Sequence, residues 1–124
     1  MRLLLDTHVV LWWLSDDPTL ADEIKDQIDH EPEVHLSPVT VWEVAMKQAM
    51  GKLKEPADLP ERIRGCGLRE LPITSEHAMT AGRLPMLHRD PFDRMLVAQA
   101  QCEGLVLLTR DTDIARYDVP VLGA

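Results

Sequence analysis

A chain of 124 residues, 45% hydrophobic and 27% charged, has the size and balance of one soluble globular domain, which argues against a disordered or fibrous protein. Its net charge of -8 speaks against gripping nucleic acid through a broad basic surface; it suits carboxylates gathered around a hard cation, or docking of a basic partner. No apolar run reaches the roughly 18 residues that cross a bilayer, nothing reads as a secretory leader, and Cys66 and Cys102 lack metal-ligand spacing, so a cytoplasmic protein with reduced thiols and no membrane contact is expected.

"RLLL" at Arg2 to Leu5 reads as a short strand, closed by Asp6 and Thr7, both good helix caps, before "HVVLWWL". "PTLADEIKDQIDH" spaces Leu20, Ala21, Ile24 and Ile28 as a half-exposed helix with Pro18 near its start. "EVHLS" is a second strand. Ser37 and Pro38 then supply the cap and first-turn proline of "VTVWEVAMKQAM", which Gly51 ends. "PADLPERIRGCG" is a weaker helix, "LRELPI" a third strand, and Ser75 caps "EHAMTAGRL". Asp90 and Pro91 open a helix through Glu103, Gly104 closes it, and "LVLLT" is a strand buried on both faces. "VPVL" is an edge strand. Strands alternating with helices, without tight hairpin turns, predict an α/β fold: one domain over residues 1–124 with a mainly parallel sheet flanked by helices.

In such a sheet, ligands bind at the carboxyl ends of the strands. Asp6 ends the first strand and Asp111 follows "LVLLT", so two strands present a carboxylate at the same edge. Glu43 lies mid-helix and, at about 100° per residue, borders the stripe of Val39, Met46 and Met50; a solvated pair with Lys47 is the plainer explanation. Asp93 projects in line with Leu96, Val97 and Ala100, although the third position of a helix capped by Asp90 also suits an acid. Carboxylates brought to one point repel one another unless a divalent cation neutralises them, and all-oxygen ligands select magnesium or manganese. Thr109 and Thr7 are candidates to buttress the acids or face phosphate, and His8 and His88 to assist a leaving group, though capping or a plain loop role is commoner for each type. Trp12, Trp13 and Trp42 invite base stacking, but core or interface packing is the more usual role for tryptophans among aliphatics.

At these residues the sequence resembles the PIN-domain ribonucleases, in particular the VapC-type toxins of bacterial toxin-antitoxin pairs. The resemblance runs through "LLLDTHVVLWWL", "LSPVTVWEVAMKQAMGKL", "LPITSEHAMTAGRLPMLHRDPFDRMLVAQA" and "LLTRDTDI", in the family's order and over essentially the whole chain. It implies a three-layer PIN-like domain with a sheet of four to five strands. Asp6, Glu43 and Asp93 would be the invariant-type metal ligands and catalytic acids, with Asp111 a fourth and more variable one and Asp90 and Asp113 as near neighbours. It further implies a Mg2+- or Mn2+-dependent endonuclease on RNA, a cognate antitoxin protein, and a homodimer. Arg89, Arg94, Arg110, Lys47 and Lys52 would hold the flanking RNA backbone as a local basic rim.

A haloacid-dehalogenase-type phosphatase also begins with a strand ending in Asp, but needs a second Asp where this chain has His8. A receiver domain needs a paired acid at the first strand end and a phosphoacceptor Asp on a third strand, which "LRELPI" lacks. A non-catalytic scaffold that binds RNA or a protein partner is the remaining alternative.

Overall fold

In the computed structural model, which describes residues 1–54 and 56–124, five short strands form one wholly parallel sheet. They are β1 (Arg2–Leu5), β2 (Glu33–Leu36), β3 (Arg69–Glu70), β4 (Val106–Thr109) and β5 (Val121–Gly123), ordered β3-β2-β1-β4-β5 across the sheet. The helices are α1 (Thr7–Leu14), α2 (Asp22–His30), α3 (Pro38–Ala49), α4 (Leu59–Arg64), α5 (Ser75–Arg83) and α6 (Pro91–Glu103). This is the expected three-layer α/β arrangement. None of the described helices is long and apolar enough to cross a membrane.

The central strand shows why helices cover both faces. Successive side chains of β1 point to opposite sides, so Leu3 and Leu5 pack with Val9, Ile28, Val44 and Ile63 of α1 to α4, whereas Leu4 meets Leu96, Val97 and Ala100 of α6. Leu107 and Leu108 of β4 divide between the same two cores. Burying one such leucine stabilises by about 1.5–3 kcal/mol, which is why β1 and β4 read as unbroken apolar runs.

From β1 the chain winds outward through β2 to β3, and later resumes on the other side of β1 with β4 and β5. That reversal opens a crevice at the carboxyl ends of β1 and β4. The two strand ends are tied there, since the Asp6 N–H donates to the Leu108 carbonyl at 3.1 Å. Ser37 caps α3 by accepting from the Val39 N–H, and Gly104 ends α6 with a φ of 67° that favours glycine.

Two helix starts differ from expectation. α2 begins at Asp22 rather than near Pro18, because the Asp17 side chain accepts from the Thr19 N–H at 2.8 Å and holds a turn instead. Thr74, not Ser75, caps α5: its hydroxyl accepts from the His77 N–H, and His77 Nδ1 accepts from the Thr74 N–H. A histidine here fills the place that glutamate usually takes in such a reciprocal cap.

Candidate active site

Where β1 passes into α1, Asp6 has both oxygens engaged. Oδ1 accepts from the Val9 N–H at 2.9 Å, capping α1, and Oδ2 accepts a short hydrogen bond from the Thr109 hydroxyl at the end of β4. Burial raises the Asp6 pKa above the ordinary value; the Thr109 and Val9 bonds and the His8 charge oppose the rise, and Asp111 adds to it. Thr109 Oγ1 in turn accepts from the Asp111 N–H at 3.0 Å. One hydroxyl therefore links the acid after β1 to the acid after β4.

Glu43 reaches the same crevice from mid-α3, only 2% exposed. The Thr7 hydroxyl donates to its Oε1 at 2.8 Å, and Lys47 Nζ donates to its Oε2 at 2.6 Å. The pair with Lys47 does form, but its acid end is sealed while its ammonium is partly exposed. It compensates a buried charge rather than decorating a surface.

Asp93 enters from the first turn of α6, where Asp90 caps the helix by accepting from the Phe92 and Asp93 N–H groups. His88 Nε2 lies 2.9 Å from Asp93 Oδ2 and 3.3 Å from Asp111 Oδ2. Burial, then the neighbouring Asp90, push the Asp93 pKa up to about 7; Glu43 and Asp111 add to the rise, and His88 opposes it. For His88, burial works against the charged ring, but Asp93, Asp111 and Asp90 outweigh it and raise its pKa. Acids from four separate segments thus feel one another's charge.

His88, a leaving-group candidate from the sequence, sets its ring between two of the acids. Its position just before the Asp90 cap is the one local signal that it could. Asp113 also comes close, since ligand-type atoms of His88, Asp111 and Asp113 all lie within 4.8 Å of one another. The Asp6, Glu43 and Asp93 oxygens fall outside that tight group, each turned to the donors just described.

Arg94 is a correction. Expected to hold RNA backbone, it is 8% exposed and donates its guanidinium N–H groups to the Ala81 carbonyl in the last turn of α5 and to the Leu84 and Pro85 carbonyls of the loop that follows. Arg110 stays at the site, 4.8 Å over the Trp12 ring, with two donors anchored on the Thr19 and Ala124 carbonyls. Arg89 and Lys52 are exposed. Trp13 is half-buried and donates from Nε1 to Asp29 at 3.0 Å. Trp42 is 54% exposed and meets Phe92 edge-on.

Asp6, Asp111, His8, Trp12 and Arg110 line an open cleft of about 280 Å³. A hollow of about 310 Å³ between α1 and α4 is larger, but it is walled mainly by Leu11, Leu14, Leu53 and Leu59 and offers no converging acids. The donor chemistry at the acidic cleft fits a hard dication: its oxygens are carboxylate and hydroxyl, and Asp93 is the carboxylate most strained by its neighbours.

The PIN domain profile matches residues 3–120. The chain is similar to Ribonuclease VapC22 of Mycobacterium tuberculosis, 29% identical over 95% of this chain and 93% of that one. Among solved structures it resembles VapBC2 of Rickettsia felis bound to a promoter DNA fragment, with a TM-score of 0.77, 15% identity, and 99% and 98% of the two chains covered. It also resembles a toxin-antitoxin complex of Klebsiella pneumoniae, with a TM-score of 0.69, 19% identity, and 98% and 96% covered. Both structural likenesses speak to fold alone. Since the matched stretch covers nearly the whole chain and takes in all four acids, this chain belongs to the PIN domain family.

Proposed function

We propose that the chain is a metal-dependent endoribonuclease and the toxin of a toxin-antitoxin pair, held in check by a cognate antitoxin protein. What supports this most is the mutual influence of four acids in a PIN domain: the Asp111 charge raises the Asp6 pKa, and the Glu43 and Asp111 charges raise that of Asp93. The similarity to a VapC ribonuclease and to a toxin-antitoxin complex supports the activity and the partner.

Asp6, Glu43, Asp93 and Asp111 would hold magnesium or manganese, which when bound polarises a phosphodiester and lowers the pKa of a coordinated water. Thr109 and Thr7 orient the Asp6 and Glu43 carboxylates in advance through their hydroxyls. Arg110 keeps a positive charge on the cleft rim, and the exposed Arg89 adds one beside His88, so flanking phosphates meet cations on an otherwise acidic protein. A proton on Asp93 competes with the dication for the same oxygens, so metal binding strengthens as pH rises through about 7.

Asp6→Asn keeps the shape and removes the charge. Purified without antitoxin and given RNA with magnesium, the wild type is expected to cleave and the variant to be at least about 100-fold slower. Equal cleavage by both places the active site elsewhere. A wild type that cuts no RNA with either dication favours the non-catalytic scaffold.

A further inference from the structure

Beyond the acids, the most constrained polar cluster lies under the loop joining α5 to α6. Arg94 Nη2 donates to the Ala81 and Leu84 carbonyls at 2.8 and 3.0 Å, and Nη1 to the Pro85 and His88 carbonyls and the Tyr117 hydroxyl oxygen at 3.0, 3.3 and 3.3 Å. Tyr117, 5% exposed, closes the loop from the other side. Its hydroxyl donates to the Pro85 carbonyl at 2.7 Å and accepts from the His88 N–H at 2.9 Å. Both backbone polar groups of His88 are therefore pinned by buried side chains, although the residue lies outside any helix or strand.

The ring of His88 is fixed as well. Nδ1 accepts from the Asp90 N–H at 3.3 Å, which leaves the proton on Nε2; that nitrogen donates to Asp111 Oδ2 at 3.3 Å and lies 2.9 Å from Asp93 Oδ2. Asp93 rides on α6 and Asp111 follows β4. Among the described residues, His88 is the side chain whose nitrogen lies within ion-pair reach of both. A clamp that served only the fold could be satisfied with any carbonyls of the loop. This one takes hold of the residue whose ring touches the acids.

Resting on the reading above that these acids hold a dication, we propose that Tyr117 and Arg94 are positioning residues that act through His88, whose Nε2–H sets the spacing of Asp93 and Asp111. Partners that orient metal ligands in this way typically change metal affinity by about 10- to 100-fold when removed.

The test is Mn2+ binding to the purified, metal-free full chain, followed by electron paramagnetic resonance. His88→Leu removes the donor and is expected to weaken binding about tenfold. His88→Gln, whose amide N–H can occupy the same place, restores most of it. Tyr117→Phe keeps the ring and loses one hydroxyl, with an expected loss of about fivefold. The deciding variant combines Tyr117→Phe with His88→Leu. If Tyr117 acts through His88, the double variant binds Mn2+ no more weakly than His88→Leu alone.

Effects that multiply instead overturn the proposal. So does unchanged or tighter binding in His88→Leu, or a Tyr117→Phe protein that melts lower but binds Mn2+ like the wild type. RNA cleavage is not needed for this readout: Mn2+ binding with the expected pattern and no RNA cleavage keeps the positioning roles and removes the ribonuclease reading. A wild type that binds no Mn2+ overturns both.

Discussion

Asp6 and Glu43 form one half of the acidic crevice, Asp93 and Asp111 the other, and the surrounding protein treats the halves differently. In the first half the carboxylates are 4% and 2% exposed, and each oxygen has its own donor, from Val9, Thr109, Thr7 or Lys47. In the second the side chains are 17% and 33% exposed, and the Oδ2 atoms share a single imidazole. Yet it is the more open Asp93 whose pKa is pushed to about 7. Burial is the largest cause of that rise, but depth alone does not decide what a buried acid costs: the charge of its neighbours and the supply of donors add to or offset it. The first half is a prebuilt frame, and the second keeps the unbalanced negative charge where a cation stabilises most.

Titration should separate the halves by the largest margin. The Asp93 pKa is raised from 3.8 to about 7 in the folded state, so between those values the folded protein binds more protons than the unfolded chain. Its contribution to stability is full at low pH and is lost as pH rises through about 7. His88 and Asp6, both raised, act in the same direction. Metal-free protein is therefore expected to melt several degrees lower near pH 8 than near about pH 5.5, and excess magnesium at the higher pH should close most of the gap by binding the folded, ionised form. Calorimetry of stripped protein checks this. A melting temperature indifferent to pH and to magnesium would remove the distinction between the halves.

Single substitutions sharpen it next, with opposite signs. Asp93→Asn removes repulsion from Asp90, Glu43 and Asp111, and is expected to stabilise the metal-free protein near pH 8 by about 2 kcal/mol while weakening metal binding. Glu43→Gln strips Lys47 of its partner and is expected to destabilise by about 1 kcal/mol, the partly exposed ammonium being screened by water. Urea titrations of both variants decide it; two changes of the same sign would mean that donors and repulsion have been misassigned.

The frame half was largely legible in the sequence, and the second half only partly. "RLLL" and "LVLLT" announce strands buried on both faces, and an acid just beyond each marks the crevice, because strand direction and side-chain period are local properties. Asp90 with Pro91, and Gly104, bracket α6 for equally local reasons. Arg94 defeats the same logic. Helical periodicity assigns faces relative to the sheet, and the loop before α6 folds over a face that periodicity leaves to solvent, burying the guanidinium on carbonyls as far back as Ala81. His88 and Tyr117 meet across 29 positions, a contact that no spacing rule contains. The resemblance to a family carried over the acids because they are its motif, and was silent on the residues that hold them.

An effect no larger than that at Glu43 lies deeper inside the frame. Thr7→Val keeps the volume of the side chain but removes the hydroxyl that donates to Glu43 Oε1 and meets the Thr40 hydroxyl at 3.1 Å. Lys47 still neutralises the other oxygen, so the charge of Glu43 remains compensated and only the two hydrogen bonds of the hydroxyl are lost. A destabilisation of about 1 kcal/mol follows, half or less of the change expected at Asp93 and with the opposite sign. The pH dependence of melting should be untouched, because it arises mainly from the Asp93 and His88 pair. If Thr7→Val instead flattens that dependence, the two halves are coupled through the Glu43 charge, and the frame is not independent of the site it supports.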